Sequence, residues 1–470
     1  MKINSLILSL FFLLLGCVQS LPTALNLIRD NTGKHELFNL TAVFDETIGL
    51  VENIITGFEE ASNMNFFHDL YNDTFSYLPE GTGNMTILEK LKLLFDAAIL
   101  HDEQTTDDLL LTRIFTLLYE SLKPSSLSYD FQSWSKLSNT SNVNTREPKK
   151  KIYPKATNSD APYSLKEKDL RKAIYFHEEF QFTNASKPIV LLVPGTGSYS
   201  GEAYYSNIAK LILQDEIADI VYLNIPNKLL MDIQINAEYV AYAINYVSGV
   251  TGDRNISVVS WSQGGPATQW AFKYWYSTRK QVSNFIPLSP DIHGTKIANL
   301  VYPHNLTLGG PPSVLQQRYD SEFMKALRSN GGNSAFVPTT SIYSGSDFVV
   351  VPQTDEGASA YFKNENGVGA ENYQLQKICS NYPAGTYYSH EGVMLNPITY
   401  ALIVDVITHD GTGQLDRIDV EEGCSKALTD GLTLEDFTAT QLMLLSCLTS
   451  ILTYDDRIME EPKLKNYAYY

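Results

Sequence analysis

Ser262 has the surroundings of an activated serine nucleophile. The apolar segment VVSW at 258–261 is typical of a strand, the serine follows it directly, and QGG at 263–265 opens a helical pattern. A tight strand-to-helix turn pushes a serine hydroxyl clear of the backbone, and small neighbouring residues let that turn close. The segment departs from the motif G-x-S-x-G because Ser260 stands in place of the first glycine. Taken alone, it would also fit an ordinary buried strand end.

An acid and a base follow this serine in the chain. Asp347 comes after the strand-like run 340–343, and His390 comes after the β-prone residues 386–388. A serine hydroxyl becomes an effective nucleophile when a histidine takes its proton and a carboxylate holds that histidine in the correct tautomer. The chain order Ser262, Asp347, His390 is the order found in α/β-hydrolases. The three residues therefore predict acyl transfer through a catalytic triad.

Other residues compete for these roles. Asp347 lies in a Gly-Ser-Asp segment whose composition also fits a plain turn. His293 precedes the acid in the chain, and His409 lies in a polar turn after a long helical run, so we favour His390 as the base. The neighbouring Glu391 is interpreted as a solvated side chain, since glutamates are mostly exposed.

Strand and helix patterns alternate from residue 155 onward and would position these groups. The expected strands lie at 188–193, 217–224, 256–260, 285–288 and 340–343, and the expected helices at 203–213, 237–247 and 267–276. This alternation predicts an α/β fold with a mainly parallel sheet flanked by helices. Ligands of such sheets bind at the carboxyl ends of the strands. Thr196 and Ser262 both follow such ends, so we expect the fold to bring them together.

The residues before this domain divide into three parts. Residues 1–20 combine a lysine, an apolar run and small residues at the end, which is the pattern of a cleaved secretory signal peptide. Residues 21–123 show a helical period and predict a helical N-terminal region, with a pro-segment as one alternative. Residues 124–154 are polar and predict a linker before a catalytic domain at 155–470. The basic run within this linker fits either a processing site or a solvated loop.

Charge and composition exclude several classes of partner. The 470-residue chain carries a formal net charge of -18 and 44% hydrophobic residues, so it can bury a large core. Nucleic acids and strongly anionic membranes both reward Lys and Arg, so neither is expected as a partner. After the signal peptide no stretch reaches the roughly 20 apolar residues of a transmembrane helix. We expect a secreted, extracellular monomer that is glycosylated, because sequons occur at Asn39, Asn72, Asn84, Asn139, Asn184, Asn255 and Asn305.

The cysteines fit an oxidising compartment. Cys17 would leave with the signal peptide, and Cys447 lies in an apolar helical run, where it is predicted to be a buried free thiol. Cys379 and Cys424 are the predicted disulfide, which would stabilise the fold by about 3 to 5 kcal/mol. No CxxC motif or His/Cys cluster points to a metal, and no cofactor is expected.

Several segments together resemble one family, the secreted fungal lipases similar to Candida antarctica lipase B. They occur in that family's order across roughly residues 155–466. They are LLVPGTG at 191–197, DIQINAEY at 232–239, WSQGG at 261–265, PD and GT between 290 and 295, PSVLQQ at 312–317, and VPTT at 337–340, followed by Asp347 and His390. That family also lacks the first glycine of G-x-S-x-G, which accounts for Ser260. The resemblance does not extend to residues 21–150.

The resemblance implies a catalytic role for each of five matching residues. Ser262 would be the nucleophile, His390 the base and Asp347 the acid. Thr196 and Gln263 match the positions that hold the oxyanion in that family. The implied activity is that of a serine carboxylic ester hydrolase without a cofactor.

Further matching residues imply a substrate pocket. Trp261 matches the pocket wall beside the nucleophile, and Asp291 and Gln317 match polar residues that line the acyl side. One departure concerns disulfides, because the family representative has three and only the pair Cys379 and Cys424 has counterparts here. The catalytic positions are untouched by this departure.

The substrate class implied by the resemblance is an ester or lipid, with a lipid interface as a candidate partner. Apolar residues near 300–306 and the leucines of 434–452 fit either an apolar pocket mouth or core packing. A carboxylesterase or polyester hydrolase acting on other esters would use the same triad. A secreted glycoprotein that uses a hydrolase fold only for binding is a further alternative, although the complete triad argues against it.

Overall fold

A seven-stranded sheet organises the part of the chain that a computed structural model describes, namely residues 130–183, 186–302, 309–386, 388–452 and 454–469. The strands are β1 (Ile174–Phe176), β2 (Ile189–Val193), β3 (Asp219–Leu223), β4 (Ile256–Trp261), β5 (Val282–Leu288), β6 (Thr339–Tyr343) and β7 (Ala370–Gln374). Their order across the sheet is β1-β3-β2-β4-β5-β6-β7, and only β1 pairs antiparallel with its neighbour. The predicted α/β class with a mainly parallel sheet is confirmed.

Helices cover both faces of this sheet. The α-helices are α1 (Asp130–Leu137), α2 (Glu167–Lys172), α3 (Ser200–Tyr204), α4 (Ile208–Gln214), α5 (Ile233–Val250), α6 (Gly264–Tyr274), α7 (Lys296–Val301), α8 (Pro312–Gln316), α9 (Glu322–Arg328), α10 (Leu375–Ile378), α11 (Pro397–Thr408), α12 (Val420–Cys424) and α13 (Leu434–Leu452). Apolar residues of α5 and α6 share one core with alternate residues of β2, and those of α4 and α11 share the other. Within the described ranges, no helix is long and apolar enough to cross a membrane.

The central strands are buried on both faces, which explains their continuous apolar runs. In β2, Leu191 contributes to one core and Leu192 to the other, because side chains alternate along a strand. The parallel register pairs Val193 of β2 with Ser260 of β4, so these two strands end at the same edge of the sheet. The loops that carry the predicted chemistry therefore start side by side.

The sequence missed the two outer strands and one helix break. β1 spans only the three residues IYF, which is too short for a recognisable strand pattern, and β7 reads AENYQ and is half-buried along its length. The helix expected at 203–213 is divided into α3 and α4, because the side chain of Asn207 accepts from the Ile208 N–H and starts a new helix. Residues 386 and 388 are not in a strand, which differs from the β-prone pattern expected before His390.

The N-terminal predictions fall mostly outside the described residues. This applies to the signal peptide at 1–20 and to the helical region at 21–123. The stretch from residue 138 to 154, which was expected to be part of a linker, packs against the domain that contains the sheet. Asn144 donates to the carbonyls of Arg171 and Ile174, and Ile152 is buried in the core. These contacts satisfy backbone groups beside β1, which gives a polar segment a fixed path.

A disulfide joins Cys379, at the end of α10, to Cys424, at the end of α12, with 5.2 Å between their Cα atoms. Both residues are buried. Cys447 is a free, buried cysteine, as predicted. The bridge fixes the segment between α10 and α12, which contains His390.

We expect the disulfide to contribute substantially to stability. The bridge spans a separation of 45 residues, and replacing both of its cysteines by alanine should lower the free energy of unfolding by about 4 kcal/mol, because the unfolded chain regains loop entropy. Urea unfolding of the double variant measures this change. Cys447→Ala, which keeps the bridge, is the control, and an equal loss in both proteins would contradict the expectation.

Candidate active site

Ser262 occupies a strained turn between β4 and α6. Its φ is 53°, in the left-handed region that residues with a Cβ rarely adopt. The turn is fixed by hydrogen bonds, in which the Ser262 N–H donates to the Leu288 carbonyl and the Ser262 carbonyl accepts from the Gly265 N–H. A Cβ at Gly264 would lie 2.7 Å from the carbonyl oxygens of Val193 and Pro194, so this turn needs glycine there.

The first position of the motif has no comparable constraint. Ser260 is buried inside β4 in regular strand conformation, and its Cβ is accommodated beside Gly264. Close approach falls instead on Gly195, whose added Cβ would lie 2.8 Å from the Ser262 Cβ. A glycine from the loop after β2 therefore makes room for the turn, which explains why the motif tolerates serine at 260.

His390 and Asp347 form a buried hydrogen-bonded pair. The distance between His390 Nδ1 and Asp347 Oδ2 is 2.7 Å, and both side chains are almost fully buried. The other oxygen, Asp347 Oδ1, accepts from the N–H groups of Val349 and Val350, at 2.9 Å each. These two donors fix the carboxylate, which in turn fixes the imidazole and leaves Nε2 as its free acceptor. Within the described residues, Nε2 has no hydrogen-bond partner.

Trp261 connects His390 to the turn that contains Ser262. Its Nε1 donates to the His390 carbonyl oxygen at 3.2 Å, and the two ring centroids are 5.2 Å apart. Trp261 is the last residue of β4 and immediately precedes Ser262. The contact therefore brings His390 beside the residue that precedes Ser262, although 129 positions separate His390 from Trp261 along the chain.

Buried carboxyl groups raise the pKa of His390, the predicted base. Burial by itself would lower the pKa of His390, but the charge and hydrogen bond of Asp347 outweigh that effect. Glu391 and Asp291 add to the rise, so the pKa lies above its ordinary value of 6.5. Burial also raises the pKa of Asp291 and that of Glu391 to about 7 each.

Glu391 was interpreted from the sequence as a solvated side chain, and this interpretation is wrong. Its exposure is 0%, its Oε1 accepts from Ser389 Oγ at 2.8 Å, and its Oε2 is buried without a partner among the described residues. The Ser389 hydroxyl also contacts Gln441 of α13. A glutamate is usually exposed, and nothing in the local sequence indicates that the His390 loop buries this one beneath α13.

Thr196 and Gln263 lie together, as their positions after β2 and β4 predict. Gln263 Nε2 donates to Thr196 Oγ1 at 3.2 Å, and Thr196 Oγ1 donates to Gln317 Oε1 at 3.1 Å. Asn236, at the start of α5, donates to Gln263 Oε1 at 3.2 Å and orients that amide. The backbone N–H groups of Thr196 and Gln263 have no acceptor within the described part of the chain. Two open donors beside Ser262 suit a developing negative charge.

Asp291 follows β5 and is completely buried. Neither of its carboxyl oxygens has a hydrogen-bond partner among the described residues, and its charge acts on His390. Gln317, at the end of α8, is tied to Thr196 and donates to the Ser313 carbonyl. Gln317 therefore lies beside Thr196, and Asp291 lies within electrostatic reach of His390. In the described ranges, no group of His, Cys, Asp and Glu could hold a metal ion.

Two residues near this site, Asn236 and Glu391, were not assigned to it from the sequence. From the sequence, Asn236 would be interpreted simply as a residue of a helix. Only the fold shows that its side-chain amide also donates to the Leu229 carbonyl. Glu391 was predicted from the sequence to lie on the surface. The amide of Asn236 contacts Gln263, which lies 27 positions further along the chain, and Glu391 is buried beside Ser389, whose hydroxyl also contacts Gln441.

Similarity to known proteins agrees with this geometry. No family model matches the chain. The sequence is 31% identical over 289 residues to lipase B of Pseudozyma antarctica, which covers 61% of this chain and 80% of that protein. The structure matches the crystal structure of Aspergillus fumigatus lipase B with a TM-score of 0.70 and 38% identity, covering 90% of this chain and 94% of that chain. The family resemblance inferred from the motifs is confirmed.

The buried carboxyl groups near His390 lead to a testable prediction about its pKa. Replacing Glu391 by glutamine removes a negative charge that raises the pKa of His390, so that pKa should fall and the imidazole should stay neutral to lower pH. NMR of the imidazole ring protons against pH measures it. Glu421→Gln removes an exposed carboxylate of α12 and should leave the titration unchanged. A His390 pKa that rises or does not move in Glu391→Gln would contradict the assignment.

Proposed function

The chain belongs to the lipase B family and is a carboxylic ester hydrolase with the α/β-hydrolase fold, and from this premise we propose that it is a secreted serine lipase. It hydrolyses esters such as acylglycerols through an acyl-enzyme, and it transesterifies them when an alcohol replaces water. The observation that carries the proposal is the buried His390–Asp347 pair beside the strained turn of Ser262.

In the proposed mechanism, Ser262 attacks the ester carbonyl carbon while His390 Nε2 takes the proton of its hydroxyl. Asp347 holds the Nδ1–H of the imidazole and stabilises the imidazolium that forms. The imidazolium then gives its proton to the leaving alcohol, which breaks the ester C–O bond. Water attacks the acyl-enzyme with the same proton transfers and releases the acid.

The oxyanion of the tetrahedral intermediate is assigned to Thr196 and Gln263. The Gln263 N–H lies at the N-terminus of α6, where the helix dipole also favours negative charge. Thr196 supplies its N–H and, after turning from Gln317, its hydroxyl. Each such donor is typically worth about 3 to 4 kcal/mol in the transition state. The hydrogen bond from Gln263 Nε2 to Thr196 Oγ1 supports this assignment, because it holds the two residues side by side.

Three residues are proposed to contact the substrate. Trp261 forms the pocket wall next to the nucleophile, which its ring contact with His390 supports. Asp291 and Gln317 are assigned to the acyl side. The buried carboxyl of Asp291 has no partner among the described residues, and burial raises its pKa to about 7, so it can offer a proton to a substrate oxygen near neutral pH.

We favour acylglycerols over other esters as the proposed substrates because both relatives described above are lipases by name. A carboxylesterase or polyester hydrolase is the alternative, since the same catalytic groups would serve it. The apolar residues expected at the pocket mouth do not decide between them. Their side chains, at Leu300, Val301, Leu306, Leu442, Leu445, Leu448 and Leu452, lie outside the residues that the structure describes in full.

Secretion and glycosylation are part of the same proposal. The sequons at Asn139 and Asn255 lie on exposed positions of the described chain, which suits glycan attachment, and the disulfide suits an oxidising compartment. Residues 1–20 are proposed to be the signal peptide. We propose that the enzyme acts as a monomer on ester or lipid substrates, with a lipid surface as the candidate interface.

Removing the nucleophile tests the reaction. Ser262→Ala should lower the hydrolysis of a p-nitrophenyl ester by at least about 10^4-fold, because no acyl-enzyme can form. The free energy of unfolding should not fall, since alanine removes only a hydroxyl. Initial rates and thermal unfolding measure the two quantities. Activity that persists in a purified variant would contradict the assignment of Ser262.

Acyl chain length separates a lipase from an esterase. We expect kcat/KM to rise from short to long acyl esters and to rise further when the long esters form an emulsion, because longer chains bury more apolar surface. Initial rates on a series of p-nitrophenyl esters, below and above their solubility limits, measure this. Ser262→Ala is the blank for spontaneous hydrolysis. A preference for short, dissolved esters would favour the carboxylesterase alternative.

A further inference from the structure

An unusual turn follows β3 and lies outside the catalytic groups already described. Three consecutive residues with side chains, Asn227, Lys228 and Leu229, have φ values of 55°, 51° and 59°. Residues other than glycine avoid this left-handed region because their Cβ meets the following carbonyl oxygen. Such strain persists where surrounding contacts hold it, and it concentrates at functional sites. The contacts of Lys228 show what this turn holds.

The backbone of Lys228 holds the oxyanion loop, by which we mean residues 194–199. The Lys228 carbonyl accepts from the Gly197 N–H at 2.8 Å, directly after Thr196. Gly197 has a φ of 83°, and a Cβ there would lie 2.6 Å from the carbonyl oxygen of Cys447 in α13. The loop is therefore held between the strained turn on one side and α13 on the other.

The side chain of Lys228 holds the other side of the same loop. Its Nζ is 3.2 Å from Glu202 Oε2 and donates to Ser450 Oγ of α13 at 3.1 Å. Glu202, in α3, also accepts from Ser446 Oγ, one turn before Ser450. Lys228 Nζ lies 5.6 Å from the ring centroid of Tyr199, the last residue of the loop. One lysine of the turn thus contacts α3, α13 and two residues, Gly197 and Tyr199, of the loop that carries Thr196.

The Glu202–Lys228 pair is buried enough for its geometry to matter. The exposure is 4% for the Glu202 side chain and 24% for that of Lys228. A pair removed from water is maintained only when its remaining lone pairs and protons find partners, which Ser446 and Ser450 supply here. Loss of either charge would leave the other without compensation and would release the loop at Gly197.

We propose that Lys228 and Glu202 are positioning residues for the oxyanion hole, which set the direction of the Thr196 N–H through Gly197 and α13. This inference rests on the proposed function, since it assigns a support to its oxyanion loop. Oxyanion donors act on charge that develops in the transition state. A displaced Thr196 should therefore lower kcat more than it raises KM.

Lys228→Met tests the pair, because methionine keeps much of the aliphatic stem and removes the charge. On a soluble p-nitrophenyl ester, kcat should fall by about tenfold with KM within about twofold of wild type. Affinity for an alkylboronic acid, which forms a tetrahedral adduct with the serine, should fall by a similar factor. Glu202→Gln should reproduce the loss, and Lys228→Arg should recover most of the activity. If Lys228→Met does not fold, Glu202→Gln decides the matter.

An ion pair at another position of α13 provides the control. Lys210 Nζ contacts Asp436 Oδ2 near the start of α13, and neither residue contacts the oxyanion loop. Lys210→Met should leave kcat and boronic acid affinity within about twofold of wild type. If it lowers kcat as much as Lys228→Met does, general docking of α13 explains the effect and the proposal fails.

The remaining outcomes separate this inference from the proposed function. A Lys228→Met protein with wild-type kcat but a lower melting temperature would make the pair merely structural and would overturn the inference alone. A wild-type protein that hydrolyses no ester would overturn both, whereas activity that is lost in Ser262→Ala supports the function independently of Lys228.

Discussion

Parallel pairing of the buried strands β2, β4, β5 and β6 is the constraint on which the site depends. In this register Val193 lies beside Ser260, and Leu288 lies beside both Trp261 and Ile342. All four strands consequently end at one edge of the sheet, and the loops that follow carry the catalytic candidates. The sheet is rigid because both of its faces are covered by apolar side chains, so these loops start from fixed positions.

Electrostatics at this edge is organised around a single imidazole. Asp347 is held by two backbone N–H groups and holds His390 in turn. Asp291 and Glu391 are buried near the same ring, and burial raises the pKa of each carboxyl to about 7. Near neutral pH these two groups therefore change charge over the same range in which a histidine base changes protonation. The pKa of His390 therefore depends on carboxyl groups that are not neighbours of Ser262 in the sequence.

Conformational strain falls on the loops and not on the sheet. Ser262 and the turn at 227–229 have positive φ although each of these residues carries a side chain, while no residue of the seven strands has positive φ. Glycines at 195, 197 and 264 occupy places where a Cβ would collide with a neighbouring loop or helix. Close approach of these segments is what brings Thr196, Gln263 and Ser262 together, and it leaves little freedom for the donors near the serine.

The apolar strand runs, the chain order of Ser262, Asp347 and His390, and the glycines of their turns can be read from the amino-acid sequence, because they follow from local periodicity and sterics. The two edge strands escaped this reasoning, because β1 has only three residues and β7 is half-polar. The burial of Glu391 and the contacts of Lys228 with Gly197 and Tyr199 became visible only in the folded structure. Both depend on which side chains from distant segments meet beneath α13, and long-range packing leaves no periodic trace in the sequence.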